Sequence, residues 1–269
     1  MDNIGKYRLL RKLAEGSTGA VYLGYDPAGK RDVAIKIADP KALNDPRSGP
    51  AHRKILETEA ALAGKLDHPN IVAIYDAVIG DPLPYVVMEF VEGGTLEKYC
   101  AFDNLLPFAR VTDIIFKCAR ALEFANRAGV IHRDLKPANI LLVGDEGQVK
   151  ISDFGSAIVA NSGIEPLAGI GSPAYMSPEQ VSNKTLDFRT DVYSLGVVMY
   201  QLLTGRVPFY ATDTASVFHQ VVHSALPPPS SFRPNLPRNL EDIVLKAAAK
   251  KPEDRFQTWN DFGGALQAT

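Results

Sequence analysis

Residues Gly129 to Val143 read GVIHRDLKPANILLV. The stretch opens on an apolar pair, Val130 and Ile131, and closes on an apolar run, Ile140 to Val143. Flanks of this kind pin a segment to a core at both ends, so the polar residues between them sit on a held loop. Pro137 stiffens that loop by fixing one dihedral and removing one donor. Asp134, Lys136 and Asn139 then offer a carboxylate, an ammonium and an amide at i, i+2 and i+5. Those groups suit proton acceptance, anion binding and metal ligation. Taken alone, the stretch also fits a structural loop with incidental charge.

The rest of the chain bounds the choice. Its 269 residues accommodate two modest lobes sharing one cleft, or one large domain. A composition 46% hydrophobic and 22% charged is that of a globular protein, and a net charge of −2 exerts no pull on nucleic acid or anionic membrane. Cys100 and Cys118 are too few and too distant for a metal cluster, and read as buried free thiols of a reducing compartment. Met1-Asp2-Asn3 begins no signal peptide, and no apolar run reaches the ~18 residues of a bilayer span. The expected location is cytoplasmic, either as a whole protein or as the cytoplasmic domain of a longer, membrane-anchored chain.

Upstream, Tyr7–Leu13, Val21–Asp26, Asp32–Asp39, Ile71–Val78 and Pro84–Val91 are short runs rich in β-branched and aromatic residues, separated by Gly- and Pro-bearing turns. They predict a five-stranded antiparallel sheet. Ala14 to Val21 (AEGSTGAV) brings Gly16 and Gly19 into the first turn, where a backbone free of Cβ can approach a phosphate. Taken in isolation, the stretch reads more simply as a plain hairpin turn. In Val33-Ala34-Ile35-Lys36, alternation puts Ala34 and Lys36 on one face of an apolar strand. Downstream of Pro50, Ile55, Glu59, Leu62 and Leu66 share one helical face, while Glu57 faces water. A carboxylate within an apolar stripe and a half-buried lysine each need a counter-charge, and a Glu59–Lys36 pair supplies both.

Downstream of the sheet, the pair Gly93-Gly94 reads as a break between lobes, with a hinge over residues 89–94. Val111–Ala128 has helical periodicity and leads into the opening stretch. Val149–Ile151 is a short strand that delivers Asp153-Phe154-Gly155, nineteen positions after Asp134. Ser156–Glu179 is Gly- and Ser-rich without periodicity, as a functional loop is. Asp191–Thr204 is apolar almost all round, a buried helix, with Asp191 placed to cap it.

With its neighbours in view, the opening stretch resembles the catalytic loop of eukaryotic-type protein kinases, H-R-D-L-x-x-x-N, and the resemblance extends in order from Ala14 to Arg255. GSTGAVYLGYDP, HPNIVAIYD and YMSPEQ are most similar to the bacterial serine/threonine branch. The resemblance implies an α+β, bilobal fold: an N-lobe (1–89) of five strands and one main helix, and a mostly helical C-lobe (95–269). It implies ATP-dependent phosphorylation of serine and threonine hydroxyls on proteins, with Mg²⁺ (or Mn²⁺) as the metal. Asp134, Lys136, Lys36 and Glu59 would carry catalysis, and Asn139 and Asp153 the metal. Ala14, Gly16, Gly19, Val21, Ala34, Lys36, Met88, Glu89, Val91, Thr95 and Leu141 would surround the nucleotide, with Met88 as gatekeeper and the Glu89 and Val91 backbone on the adenine edge. Ala14 departs from the family's first loop glycine. Lys136 favours serine/threonine over tyrosine. Ser172, where threonine is usual, would bond Asp134 and Lys136 through its hydroxyl. His132, Arg133, Phe154, Glu179, Asp191 and Arg255 would be structural, His132 packing under Phe154, Glu179 pairing with Arg255, and the helix that starts at Asp191 anchoring the catalytic loop from below.

Two readings compete. A pseudokinase scaffold would lack one of Lys36, Asp134 and Asp153, and all three are present. A small-molecule phosphotransferase would lack the peptide-binding features around Ser172 and Glu179. Arg133 before Asp134 is the arrangement in which a phosphorylated loop residue docks. No threonine lies between Asp153 and Glu179, and Ser162 is the expected autophosphorylation site. Expected partners are protein substrates, the chain itself and a homodimer partner.

Overall fold

The computed structural model describes residues 3–16, 19–80, 83–144, 147–159 and 172–269. Ser17, Thr18, Asp81, Pro82 and residues 160–171 of the Ser156–Glu179 loop, Ser162 included, lie outside the described residues.

The first lobe is an antiparallel sheet in the order β1-β2-β3-β4-β6-β5, built from β1 (Asn3–Ile4), β2 (Tyr7–Gly16), β3 (Gly19–Asp26), β4 (Arg31–Ala38), β5 (Ile74–Val78) and β6 (Tyr85–Glu89). It therefore has six strands rather than five. The extra strand is two residues long, too short to show a period, and it is fixed by Ile4 packing with Tyr7 and Tyr85. Ile71 is not yet part of β5; it makes a lone parallel bridge to Ile151. Alternation along β4 sends Val33, Ile35 and Ile37 into the cluster around Tyr7, Tyr85 and Val87, and turns Ala34 and Lys36 to the other side. The first turn is tighter than a loop. Gly16 pairs with Gly19 across the tip, and a Cβ on Gly19 (φ 147°) would run into the Ile37 carbonyl.

Residue 39 leaves the sheet and caps a short helix α1 (Pro40–Asn44), accepting the Lys41 N–H at 2.9 Å. Asp-Pro is an N-cap followed by N1 proline, a signal hidden behind the strand assigned through Asp39. The main helix α2 (Gly49–Ala61) ends before Leu62, so Leu66 reaches the core from the following turn rather than from the helix face.

Gly93-Gly94 does not break regular structure. Gly93–Thr95 is a strand, β7, with Gly93 paired to Val143, and a Cβ there would strike the Leu142 carbonyl. The glycine is required by close approach. The second lobe continues through α3 (Phe108–Arg127), β8 (Val130–Ile131), β9 (Ile140–Val143), β10 (Gln148–Ile151), β11 (Ile158–Val159), α4 (Pro178–Val181), α5 (Arg189–Thr204), α6 (Thr214–His223), α7 (Arg238–Ala247) and α8 (Trp259–Gln267). Sheets β10-β9-β7 and β11-β8 frame the Gly129–Val143 stretch. Every residue of α5 except Arg189 and Gln201 is buried, so this helix is the axis on which α3, α7 and the Gly129–Val143 stretch pack. Cys118 is fully buried and Cys100 only partly; burial pushes both thiols up to about 12, so they stay protonated.

Candidate active site

β4 and α2 meet at one ion pair. Lys36 Nζ donates to Glu59 Oε1 at 2.8 Å and lies 3.8 Å from Asp153 Oδ1. Burial alone would discharge the ammonium, but the two carboxylates outweigh it and hold the Lys36 pKa above its ordinary value. Glu59 Oε2 is buried without a hydrogen-bond partner among the described residues, so the glutamate has no competing task. Glu57 is exposed.

Asp153 follows β10 in the left-handed region (φ 62°), an uncommon conformation for a residue with a Cβ. Burial raises its pKa, but Lys36, His132 and Lys136 prevail and hold the carboxyl below its ordinary range. It shares a cavity of ≈ 220 Å³ with Lys36, Glu59 and Asn139 at the polar end, and with Val21, Val72, Ile74 and Met88 at the apolar end. Ala34 pairs with Met88 in the sheet above. Leu141 pairs with Thr95 below, and the Thr95 hydroxyl donates to Glu97 at 3.2 Å. Ala14 pairs with Val21 at the mouth. Glu89 does more than its backbone suggests: its carboxylate meets Lys150 at 2.9 Å and the Ala73 N–H at 3.3 Å, tying β6 to β10 in the other lobe. Val91 lies between β6 and β7.

The Gly129–Val143 stretch is held from below. Asp191 Oδ2 and Oδ1 accept the backbone N–H groups of His132 (2.8 Å) and Arg133 (2.9 Å). The carboxylate therefore caps the loop, not its own helix, which corrects the local reading. That contact spans nearly sixty residues of sequence and could not be read from helix position. His132 packs edge-on against Phe154 at 4.5 Å. Its Nε2–H donates to the Ser152 carbonyl (3.0 Å), which leaves Nδ1 to accept the Asp134 N–H (3.3 Å). Arg133 is buried with φ 71°, and its carbonyl accepts Gln180 Nε2 at 2.9 Å. Gln180 also closes a capping box with Ser177 at the start of α4. The S-x-x-Q pattern in Ser177–Gln180 was a legible sign of that cap, but nothing local showed its reach to Arg133.

Asp134 is thereby presented with both oxygens engaged. Oδ2 accepts Lys136 Nζ at 2.8 Å, and Oδ1 accepts the Ser172 backbone N–H at 2.9 Å. Lys136 also donates to the Ser172 hydroxyl at 3.0 Å. Ser172 thus bonds Lys136 through its hydroxyl, as expected, but Asp134 through its main chain. Asn139 donates Nδ2 to the Asp134 carbonyl (2.8 Å), which orients its amide oxygen away from that bond. Asn139 Oδ1 and the Asp153 carboxylate are hard oxygen donors of the kind Mg²⁺ takes, with phosphate and water completing the shell. Among the described residues no group of three or more acidic, His or Cys ligands exists, so the donor set fits a metal carried in with a phosphate rather than one caged by protein. Glu179 and Arg255 form a two-pronged pair at 2.6 and 2.8 Å.

An Asp191→Ala substitution leaves two buried N–H groups without acceptors. The expected result is a stability loss of about 3 kcal/mol, at 1–3 kcal/mol per orphaned donor, accompanied by a lower kcat; thermal denaturation and steady-state rates check it.

A model of the protein kinase domain matches residues 7–262. The serine/threonine-protein kinase PknB of Mycobacterium tuberculosis is 40% identical over 261 residues, taking in 94% of this chain and 41% of PknB. Pkn1 of Myxococcus xanthus, also a serine/threonine-protein kinase, is 40% identical over 271 residues, with 98% of this chain and 38% of Pkn1 covered. The chain thus spans about two-fifths of the length of these relatives. The crystal structure of the Mycobacterium tuberculosis PknI kinase domain superposes with a TM-score of 0.76 at 27% identity, covering 99% of this chain and 97% of that one. Sequence match from the first long strand to the last helix, and a superposition that takes in both lobes, leave one conclusion: this chain belongs to the protein kinase domain family.

Proposed function

We propose that this domain transfers the γ-phosphoryl group of ATP to serine and threonine hydroxyls of cytoplasmic proteins, its own chain among them. The observation that carries the reading is the placement of Asp134 between Lys136, Ser172 and Asn139, in one cleft with the Lys36–Glu59 pair and Asp153. Asp134 accepts the proton of the substrate hydroxyl as its oxygen attacks phosphorus in line. The bond from phosphorus to the bridging oxygen breaks, and ADP departs. Lys136 offsets charge on the transferring group. Lys36, aimed by Glu59, holds the α- and β-phosphates. Asn139 and Asp153 hold Mg²⁺ (Mn²⁺ is a chemically equivalent occupant), which neutralises phosphate charge when bound. The apolar end of the cavity under Met88 and Ala34 takes the adenine, and the β2–β3 turn with Gly16 and Gly19 covers the phosphates.

Incubation with labelled ATP, Mg²⁺ and a generic protein substrate tests this directly, followed by phosphoamino-acid analysis. Label on serine or threonine is the expected result; no incorporation into substrate or chain would favour a scaffold. A sharper test is Glu59→Gln, which keeps the shape and removes the counter-charge of Lys36. The expected loss in kcat/KM for ATP is about 10²-fold, the size of one preorganised electrostatic contact. Steady-state kinetics at varied ATP measure it. Among the described residues no helix is long and apolar enough to cross a membrane.

A further inference from the structure

The chain has five histidines, and three are committed to the fold. His52 Nδ1–H donates to the Ala42 carbonyl at 3.1 Å. His68 Nδ1 accepts the Asn70 N–H at 3.0 Å, with its ring against Phe124. His132 is bonded through both nitrogens. The other two, His219 and His223, stand four residues apart on α6, with ring centroids 4.8 Å apart and planes inclined at 46°. Both are exposed, and neither ring has a hydrogen-bond partner among the described residues.

The fold does not need them. Val217 and Val221 form the inner face of α6, buried in a cluster with Phe209, Val181 and Leu226. His219 and His223 each follow one of these valines by two positions, about 200° around the helix, and so point away from that packing. The i, i+4 spacing sets the two imidazoles side by side on the outer face.

That placement matches the demands of a metal ion. A tetrahedral ion bound to two imidazole nitrogens at ~2.0–2.1 Å holds their ring centroids about 5 Å apart. The observed 4.8 Å is that spacing. His223 is the last residue of α6, so the pair lies over the helix end where the peptide dipoles favour positive charge. The one cation bonded to that end, Lys250, reaches the Gln220 and Val221 carbonyls while lying over the Phe209 ring, on the inner side.

The donor type selects the ion. Imidazole suits Zn²⁺, Ni²⁺ and Cu²⁺, whereas Mg²⁺ takes oxygen. No group of three or more His, Cys, Asp or Glu ligands exists among the described residues, so the protein supplies two ligands and water the others. No acceptor in the protein orients the second nitrogen of either ring, an arrangement that weakens a metal site. Such a site loads and empties with the free metal concentration.

We propose that His219 and His223 chelate a divalent transition metal ion of the Zn²⁺ class on the outer face of α6, at a site built from none of the residues of the nucleotide cavity. One ion held across four residues staples the last turn of the helix.

The test uses the domain free of any polyhistidine tag and titrates it with Zn²⁺ alone in a calorimeter. The expected result is one ion per chain on this pair, with Kd raised about 10²-fold in His219→Ala and equally in His223→Ala, because each leaves a single ligand where two acted together. The double variant should bind no more weakly than either single one. Both side chains are exposed, so the variants should melt with the wild type in EDTA. In Zn²⁺ at a hundredfold excess over Kd, the wild-type Tm alone should rise by about 5 °C. Millimolar Mg²⁺ should leave the Zn²⁺ titration unchanged. No Zn²⁺ uptake by the wild type, an affinity that survives either substitution, or displacement by Mg²⁺ would each overturn the proposal.

Discussion

Asp134→Asn is expected to lower kcat by about 10³-fold, within the range of a lost general base, while the Kd for ATP stays within about twofold. The asymmetry follows from where the carboxylate points. Its oxygens face Lys136 and the Ser172 N–H, whereas the charges proposed to hold the nucleotide, those of Lys36 and Asp153, line the neighbouring cavity. An asparagine oxygen still accepts the Ser172 N–H, so the turn before α4 keeps its place. What disappears is a group able to take a proton and a charge that balances Lys136. Titration calorimetry with ATP and single-turnover rates on one preparation separate the two quantities. A fall in ATP affinity as large as the fall in rate would refute the assignment of roles.

Arg255→Ala is expected to have the largest effect on stability, about 3–5 kcal/mol, because it strands a buried carboxylate. Arg255 is 1% exposed and donates five hydrogen bonds: to both Glu179 oxygens, and to the carbonyls of Arg189 (2.8 Å), Ala249 (2.8 Å) and Lys250 (3.0 Å). These join α4, the start of α5 and the segment after α7 through one side chain. The corresponding fall in Tm is roughly 10 °C at 2–4 °C per kcal/mol for a chain of this size. Burial by itself would raise the Glu179 carboxyl, but the hydrogen bonds and charge of Arg255 outweigh it and hold the pKa below its ordinary range. A carboxyl depressed on folding contributes stability that is complete above its unfolded pKa and is lost as pH falls through the folded value. The destabilisation by Arg255→Ala should therefore be full at neutral pH and shrink in acid. Denaturant melts of both proteins across pH check the sign, and a gap that widens in acid would contradict it.

Local pattern carried much of this protein. Helical spacing around Glu59 and strand alternation around Lys36 each marked a charge that could not stay unpaired, and the two meet at 2.8 Å. The nearly all-apolar stretch Asp191–Thr204 marked a buried helix, and that is what α5 is. The reason is that periodicity reports which face of an element is withdrawn from water, and a buried charge in that face demands a partner of known sign.

Tertiary structure decided what such patterns do not encode. Asp191 looked like the cap of its own helix and instead holds the N–H groups of His132 and Arg133. Gly93 looked like a break and is a strand residue, chosen because the Leu142 carbonyl leaves no room for a Cβ. Gln180 reaches the Arg133 carbonyl, and Glu89 reaches Lys150. In each case the deciding neighbour lies far along the chain. A sequence states which hydrogen-bonding groups and charges a segment carries, but the partner that satisfies them is chosen only when distant segments pack.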